Sequence, residues 1–160
     1  MNPLISNIVT AVTGTDASIL AAKYAIILAK NYHCKLTAVY VVDTATIKQI
    51  TLSKIFLKEE GAEYERSLEN NGKRYLKFVE ELARAKGVKA EQIMRKGAIY
   101  TEILSVADEK KADLIILGGW EKDTKTRDII GHSHREIMAN AKCSVLLVKE
   151  PDIDKIYKKA

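Results

Sequence analysis

The stretch that decides the fold runs Ala112-Asp113-Leu114-Ile115-Ile116-Leu117-Gly118-Gly119, then a polar loop, then Ile129-Ile130-Gly131-His132-Ser133. A short helical pattern follows, and then Ser144-Val145-Leu146-Leu147-Val148-Lys149. Leu114–Leu117 and Val145–Val148 are uninterrupted apolar runs. A strand covered by helices on both faces loses the polar alternation of a half-buried one, so both runs read as buried parallel strands. Gly118 ends the first, and Gly131 is expected to open the following helix. Glycine at a strand's carboxyl end and at a helix amino end lets backbone N–H groups face an anion. That is the architecture of a phosphate site.

Working outward, the chain alternates strands and helices. Ile8–Val12 is the first strand, and Thr15 is placed to cap a helix that reaches about Tyr32, with Asp16 in its electropositive first turn. Lys35–Val42 is the second strand. Residues 43–58 fit either a short helix or a flap. A long helix is expected from Glu59 to Lys86, closed by Gly87. Gln92–Arg95, Leu114–Leu117 and Ser144–Lys149 complete the strands, with helices over Glu102–Lys110 and Ser133–Ala141. Asp152–Ala160 is a polar tail beyond a domain of residues 1–150. Such alternation implies an α/β doubly wound parallel sheet with helices on both faces. Ligands of these folds bind at the carboxyl ends of the strands. Here those ends are Val12–Thr15, Val41–Asp43, Arg95–Gly97 and Leu117–Gly119.

Composition narrows the function. The chain has 160 residues, 47% hydrophobic and 29% charged, as expected of one globular domain. No apolar run approaches the roughly 20 residues of a membrane helix. The amino end enters a strand without a basic leader, so a cytoplasmic location is expected. Cys34 and Cys143 stand far apart and read as small buried residues. The formal charge of +5 comes from lysines and arginines interleaved with glutamates on helices, which argues against nucleic acid as a partner.

At this point the chain resembles the universal stress proteins, over about residues 5 to 149. The resemblance is carried by Ile8–Thr15, by Ala38–Asp43, by Gly97 with Glu102–Leu104 and Ala107, and most specifically by Ala112–Gly118 through Gly131 to Asn140–Val148. It implies the strand order 3-2-1-4-5 and a homodimer through the edge strand Ser144–Lys149, whose flat apolar edge invites pairing. It also implies an adenine nucleotide (ATP, ADP or AMP, with or without Mg). The adenine would lie near Thr13 and the backbone of Val41, and the phosphates over Gly118, Gly119, Gly131, His132 and Ser133.

The family's phosphate signature is Gly-x2-Gly-x9-Gly followed by Ser or Thr, and this chain departs from it. Gly118 and Gly131 match, Glu121 replaces the second glycine, and His132 stands where Ser or Thr is usual. Thr13 replaces the aspartate that normally ends the first strand. Glycine admits a phosphate to close backbone contact, whereas glutamate adds bulk and like charge. Lys122, Lys125, Arg127, His132 and His134 crowd the same loop and offer compensating cations.

Other constellations are weaker. Thr13–Ser18 only partly matches the loop of adenylating pyrophosphatases, and neither a dinucleotide fingerprint nor a Walker loop is present. His132 and His134, two residues apart on a helix, diverge and lack a third ligand, so no metal site is expected. His33 is expected to pack before the second strand, and Trp120 to pack within the loop. No nucleophile with an evident His and carboxylate partner stands out, so no catalytic residue is assigned. The leading expectation is therefore a binding module and not a fast catalyst. The alternatives are a nucleotide-independent dimer acting through protein partners, and slow nucleotide hydrolysis with Glu121 or Asp123 as base.

Overall fold

The apolar runs form one five-stranded, all-parallel sheet in the order β3-β2-β1-β4-β5. The computed structural model describes residues 3–53, 57–119 and 124–160, with backbone alone over 124–130. The strands are β1 (Asn7–Ala11), β2 (Lys35–Asp43), β3 (Ala90–Gly97), β4 (Leu114–Gly118) and β5 (Ser144–Val148). The helices are α1 (Asp16–Tyr32), α2 (Thr44–Leu52), α3 (Lys58–Arg84), α4 (Ile99–Glu109), α5 (Thr124–Asn140) and α6 (Ile153–Lys159). The expected α/β fold and strand order are both found.

Alternate residues of each central strand serve opposite faces of the sheet. Ile8, Leu36, Leu114 and Ile116 meet Ala21, Ala25 and Ile26 of α1 and Ala83 of α3. Val9, Val39, Ile115 and Leu117 meet Ile103 and Val106 of α4 and Ile137 of α5. Burial on both faces is why β4 reads as a continuous hydrophobic run. α3 reaches the sheet at Gly72, where a Cβ would lie 2.4 Å from the Tyr40 ring. Asp113 aligns β4 with β1 by accepting from the Ser6 and Asn7 amides at 2.8 and 2.9 Å.

Local signals place the helix ends. Thr15 caps α1, its hydroxyl accepting from the Ser18 amide at 3.2 Å. Gly87, at φ +74°, closes α3, with Gly87 N–H bonded to the Arg84 carbonyl and Val88 N–H to that of Ala83. This is the left-handed helix stop that glycine favours. Residues 44–52 resolve to a helix, capped by Asp43. The polar tail forms α6, held by buried Ile153, by a Lys23–Asp154 pair at 2.5 Å, and by the Tyr157 hydroxyl donating to the Leu82 carbonyl at 2.7 Å.

Several boundaries differ from the sequence expectation. β3 extends well beyond Gln92–Arg95. α4 begins at Ile99, before the expected Glu102. The chief correction is that Gly131 does not open a helix: α5 starts at Thr124 and carries Gly131 in its interior. His33 is exposed at φ 56°, where it closes α1, and does not pack as expected. Cys34 and Cys143 are half-buried rather than buried, and desolvation raises both thiols above their ordinary range.

Candidate functional site

The carboxyl ends of β1 and β2 open onto a cavity of about 390 Å³, within the range of small-molecule sites. Its walls are largely aliphatic: Val12, Val39 and Val41 from the sheet, Ile47 and Ile50 from α2, Leu68 from α3, and Ile99 and Ile103 from α4. Tyr40 and Tyr64 add aromatic surface, and burial pushes the Tyr40 phenol up, so that it stays neutral. The cavity exists because β1 leaves the sheet early. The last β1–β2 pair is Ala11↔Val39, after which the Val12 amide still reaches the Val39 carbonyl at 2.7 Å. Two residues on, Val41 turns its N–H and C=O toward the same side. There β1 has already departed, which leaves a strand edge suited to the hydrogen-bonding edge of a planar base.

Thr13 and Thr15 line the same cavity. Their hydroxyls lie 3.0 Å apart, and the Thr13 amide donates to Ser18 Oγ at 3.1 Å. Ser18 Oγ in turn donates to the Thr15 carbonyl at 3.2 Å. The turn is thus a closed ring of hydroxyl contacts, and its one carboxylate, Asp16, is exposed and not part of the cavity lining. Asp43 is the one carboxylate among the described residues of the lining, and it is engaged. Its oxygens accept from the Thr46 amide at 3.0 Å and the Thr46 hydroxyl at 2.7 Å, which caps α2.

Gly118 and Gly119 adjoin Thr13, Thr15 and Ser18 around a niche of only about 10 Å³, closed on its last side by His134. Both glycines answer to packing. A Cβ on Gly118 would lie 2.8 Å from the Ala17 carbonyl carbon, and one on Gly119 would lie 2.2 Å from the Val148 carbonyl oxygen. β4 therefore meets α1 and the end of β5 backbone to backbone. His134 is half-buried, and its desolvation pushes the imidazole below the usual histidine range. From sequence, His134 stands among the loop cations and as half of a divergent histidine pair, and a helix placed from Ser133 gives no sign of which side chain faces the niche.

His132 and Ser133 face a second cavity of about 500 Å³, which shares Asp43, Thr46 and Ile99 with the first. His132 is exposed and stands edge-on to Tyr100, with centroids 5.9 Å apart, while Ser133 is buried. The two histidines do diverge along α5. Among the described residues, the nearest atom to a Cβ at Gly131 is the tip of Arg135, at 3.5 Å. Trp120, Glu121, Lys122 and Asp123 lie outside the described residues, as do the side chains of Lys125 and Arg127. Among the described residues no group of three or more His, Cys, Asp or Glu could hold a metal ion. The structure therefore places Thr13, Val41, Gly118, Gly119, His132 and Ser133 in two adjoining cavities and a niche, while Gly131, next to His132 on α5, lines none of the three.

The sequence model of the universal stress protein family matches residues 5–149. The chain belongs to the universal stress protein family. Universal stress protein MJ0531 of Methanocaldococcus jannaschii is 36% identical over 154 residues, covering 92% of this chain and 84% of that protein. Universal stress protein YxiE of Bacillus subtilis is 28% identical, covering 91% and 100%. Among solved structures, a universal stress family protein from Burkholderia pseudomallei superposes with TM-score 0.73 at 20% identity over 94% and 100% of the two chains. Two ligand-bound universal stress proteins share the fold. One is in complex with cAMP (TM-score 0.65, 23% identity, 91% and 98% covered). The other, from Arabidopsis thaliana, has AMP bound (TM-score 0.63, 16% identity, 92% and 94% covered). No helix among the described residues of this universal stress protein is long and apolar enough to cross a membrane.

Proposed function

We propose that this universal stress protein is a regulatory or protective binding module that takes an adenine nucleotide at the carboxyl end of its sheet. One observation carries the reading: the cavity of about 390 Å³ opens where the Val41 backbone passes the end of β1, beside the glycine turn after β4. The adenine lies against Val41 and Thr13. The phosphates lie toward Gly118, Gly119 and the α5 rim of Gly131, His132 and Ser133. Fold neighbours bound to AMP and cAMP support an adenine ligand. β5 ends the sheet, and its free edge supports a homodimer, to be measured by light scattering. The module works in the cytoplasm.

The reading is tested by thermal unfolding of ligand-stripped protein with AMP, ADP and ATP, with and without Mg, against guanine nucleotides. A ligand at a hundred times its Kd adds about 2.7 kcal/mol. For a domain of this size that is a rise of roughly 5–10 °C. Adenine-specific shifts of that order are expected. Their absence at millimolar ligand favours a second reading, a nucleotide-independent module acting through protein partners. The local engagement of Thr13 and Asp43 supports that alternative, since each already holds hydrogen bonds within its own turn or helix cap. Under it, Thr13→Asp with Glu121→Gly creates ATP binding where there was none.

A further inference from the structure

The opposite end of the sheet holds a second, chemically different cavity. It is an open groove of about 750 Å³ between the carboxyl ends of α1 and α3 and the first residues of β2 and β3. Lys30, Lys35, Lys86 and Lys89 line it together with His33. Lys30 and His33 come from the end of α1, and Lys35 opens β2. Lys86 and Lys89 flank the turn into β3, so only the β2–β3 pairing brings the two groups together. The sole acid of the lining, Glu91, is paired with Lys110 at 2.8 Å. Asp113, which lies near Cys34, holds the Ser6 and Asn7 amides.

Helix carboxyl ends attract cations, which accounts for a lysine within a last turn such as Lys30. Lys35 and Lys89 lie beyond either helix, and among the described residues no hydrogen bond or ion pair engages the ammonium group of Lys30, Lys35 or Lys89. Lys86 is partly used: its ammonium sits 4.7 Å from the Tyr157 ring centroid and 3.5 Å from the Ala160 carbonyl oxygen. Three uncompensated ammonium groups, with His33 beside them, thus face one open groove.

From this convergence we infer a second binding site, for a small soluble molecule carrying several phosphate groups. The described lining contains no arginine to fork onto a planar carboxylate, and no Phe, Tyr or Trp; its one aromatic ring is the exposed imidazole of His33. Tyr157, which meets Lys86 of the lining, also lies under Lys23. What the groove offers is charge density on flexible, point-like ammonium groups, and this matches phosphate better than a shaped organic body. Its volume exceeds what a single phosphate fills, so the class is an oligophosphate.

The test is a titration of inorganic tripolyphosphate into the full chain, followed by backbone amide NMR, in the parent and in a Lys30→Gln/Lys35→Gln/Lys89→Gln variant. All three side chains are exposed, so the variant keeps its fold. Saturable shifts confined to residues 33–37 and 86–91 are expected. Affinity should fall at least tenfold in the variant and weaken with added salt. Shifts induced by AMP at residues 13–15 should be identical in the two proteins, so failure here is separable from failure at the other end. Equal affinity in parent and variant overturns the site, as do shifts at residues 13–15 and 118–119 or non-saturating shifts at every lysine. A single-stranded DNA 12-mer that saturates the groove more tightly than tripolyphosphate overturns the small-molecule class.

Discussion

The two halves of the phosphate signature stand in opposite physical situations. The turn after β4 is packed shut: side-chain atoms at Gly118 and Gly119 would run into the backbone of Ala17 and Val148. At the α5 rim, the nearest described atom to a Cβ at Gly131 is an arginine tip at 3.5 Å. Glycine in the first half is explained by the fold alone. Glycine in the second half is a cost to a helix interior that no described neighbour requires. A signature read from sequence merges these two roles, and substitutions separate them.

The largest effect is expected at the closed half. Gly119→Ala places a methyl carbon against a carbonyl oxygen that can move only with β5. Overpacking of this kind typically costs about 1–3 kcal/mol, so the melting temperature should fall by roughly 3–10 °C without ligand. A melting temperature equal to that of the parent would show that the turn has room, and would erase the contrast. Next comes the ring of hydroxyls that joins the halves. Thr15→Ala removes the α1 cap and the partner of Thr13, at about 1 kcal/mol. Thr15→Ser should restore most of it in denaturant unfolding.

The open half should respond with the opposite sign. Gly131→Ala, inside α5, is expected to stabilise the apo protein by about 0.5–1 kcal/mol, because alanine loses less conformational freedom in a helix. The melting temperature should rise by roughly 1–4 °C. A decrease would mean that the rim is as constrained as the turn. The smallest effect is the pH dependence of His134. Its folded imidazole lies below the unfolded value because of burial. The stability it gives is therefore complete above the unfolded pKa of about 6.5 and declines as pH falls through the folded value. His134→Gln should flatten that part of the curve, and an unchanged slope between pH 7 and 5 would place the histidine in water.

Much of this was legible in the sequence for stated reasons. Buried strands covered on two faces write continuous apolar runs, and Thr15 and Gly87 are strong stop and start residues. β3 was truncated because it lies at the sheet edge, where Glu91, Gln92, Arg95 and Lys96 dilute the apolar pattern. The start of α5 was missed because Thr124–Asp128 is polar and Gly131 reads as a helix breaker, a local preference that the tertiary structure overrides. That error put Gly131 at a helix terminus, and with it the expectation of free N–H groups there. The candidate site residues came from the resemblance, and the structure brings them to one end of the sheet. The role of His134 required the helix phase. The basic groove required the β2–β3 pairing, since its lysines lie far apart along the chain.

The central claim is that the carboxyl end of the sheet binds an adenine nucleotide with its phosphates on the α5 rim. Calorimetric titration of ATP into ligand-stripped parent and Gly131→Leu protein tests it most directly, with circular dichroism to establish that the variant is folded. The account expects the parent to bind and the folded variant to lose at least tenfold in affinity, with no matching loss of apo stability. Equal affinity in the two proteins would contradict it.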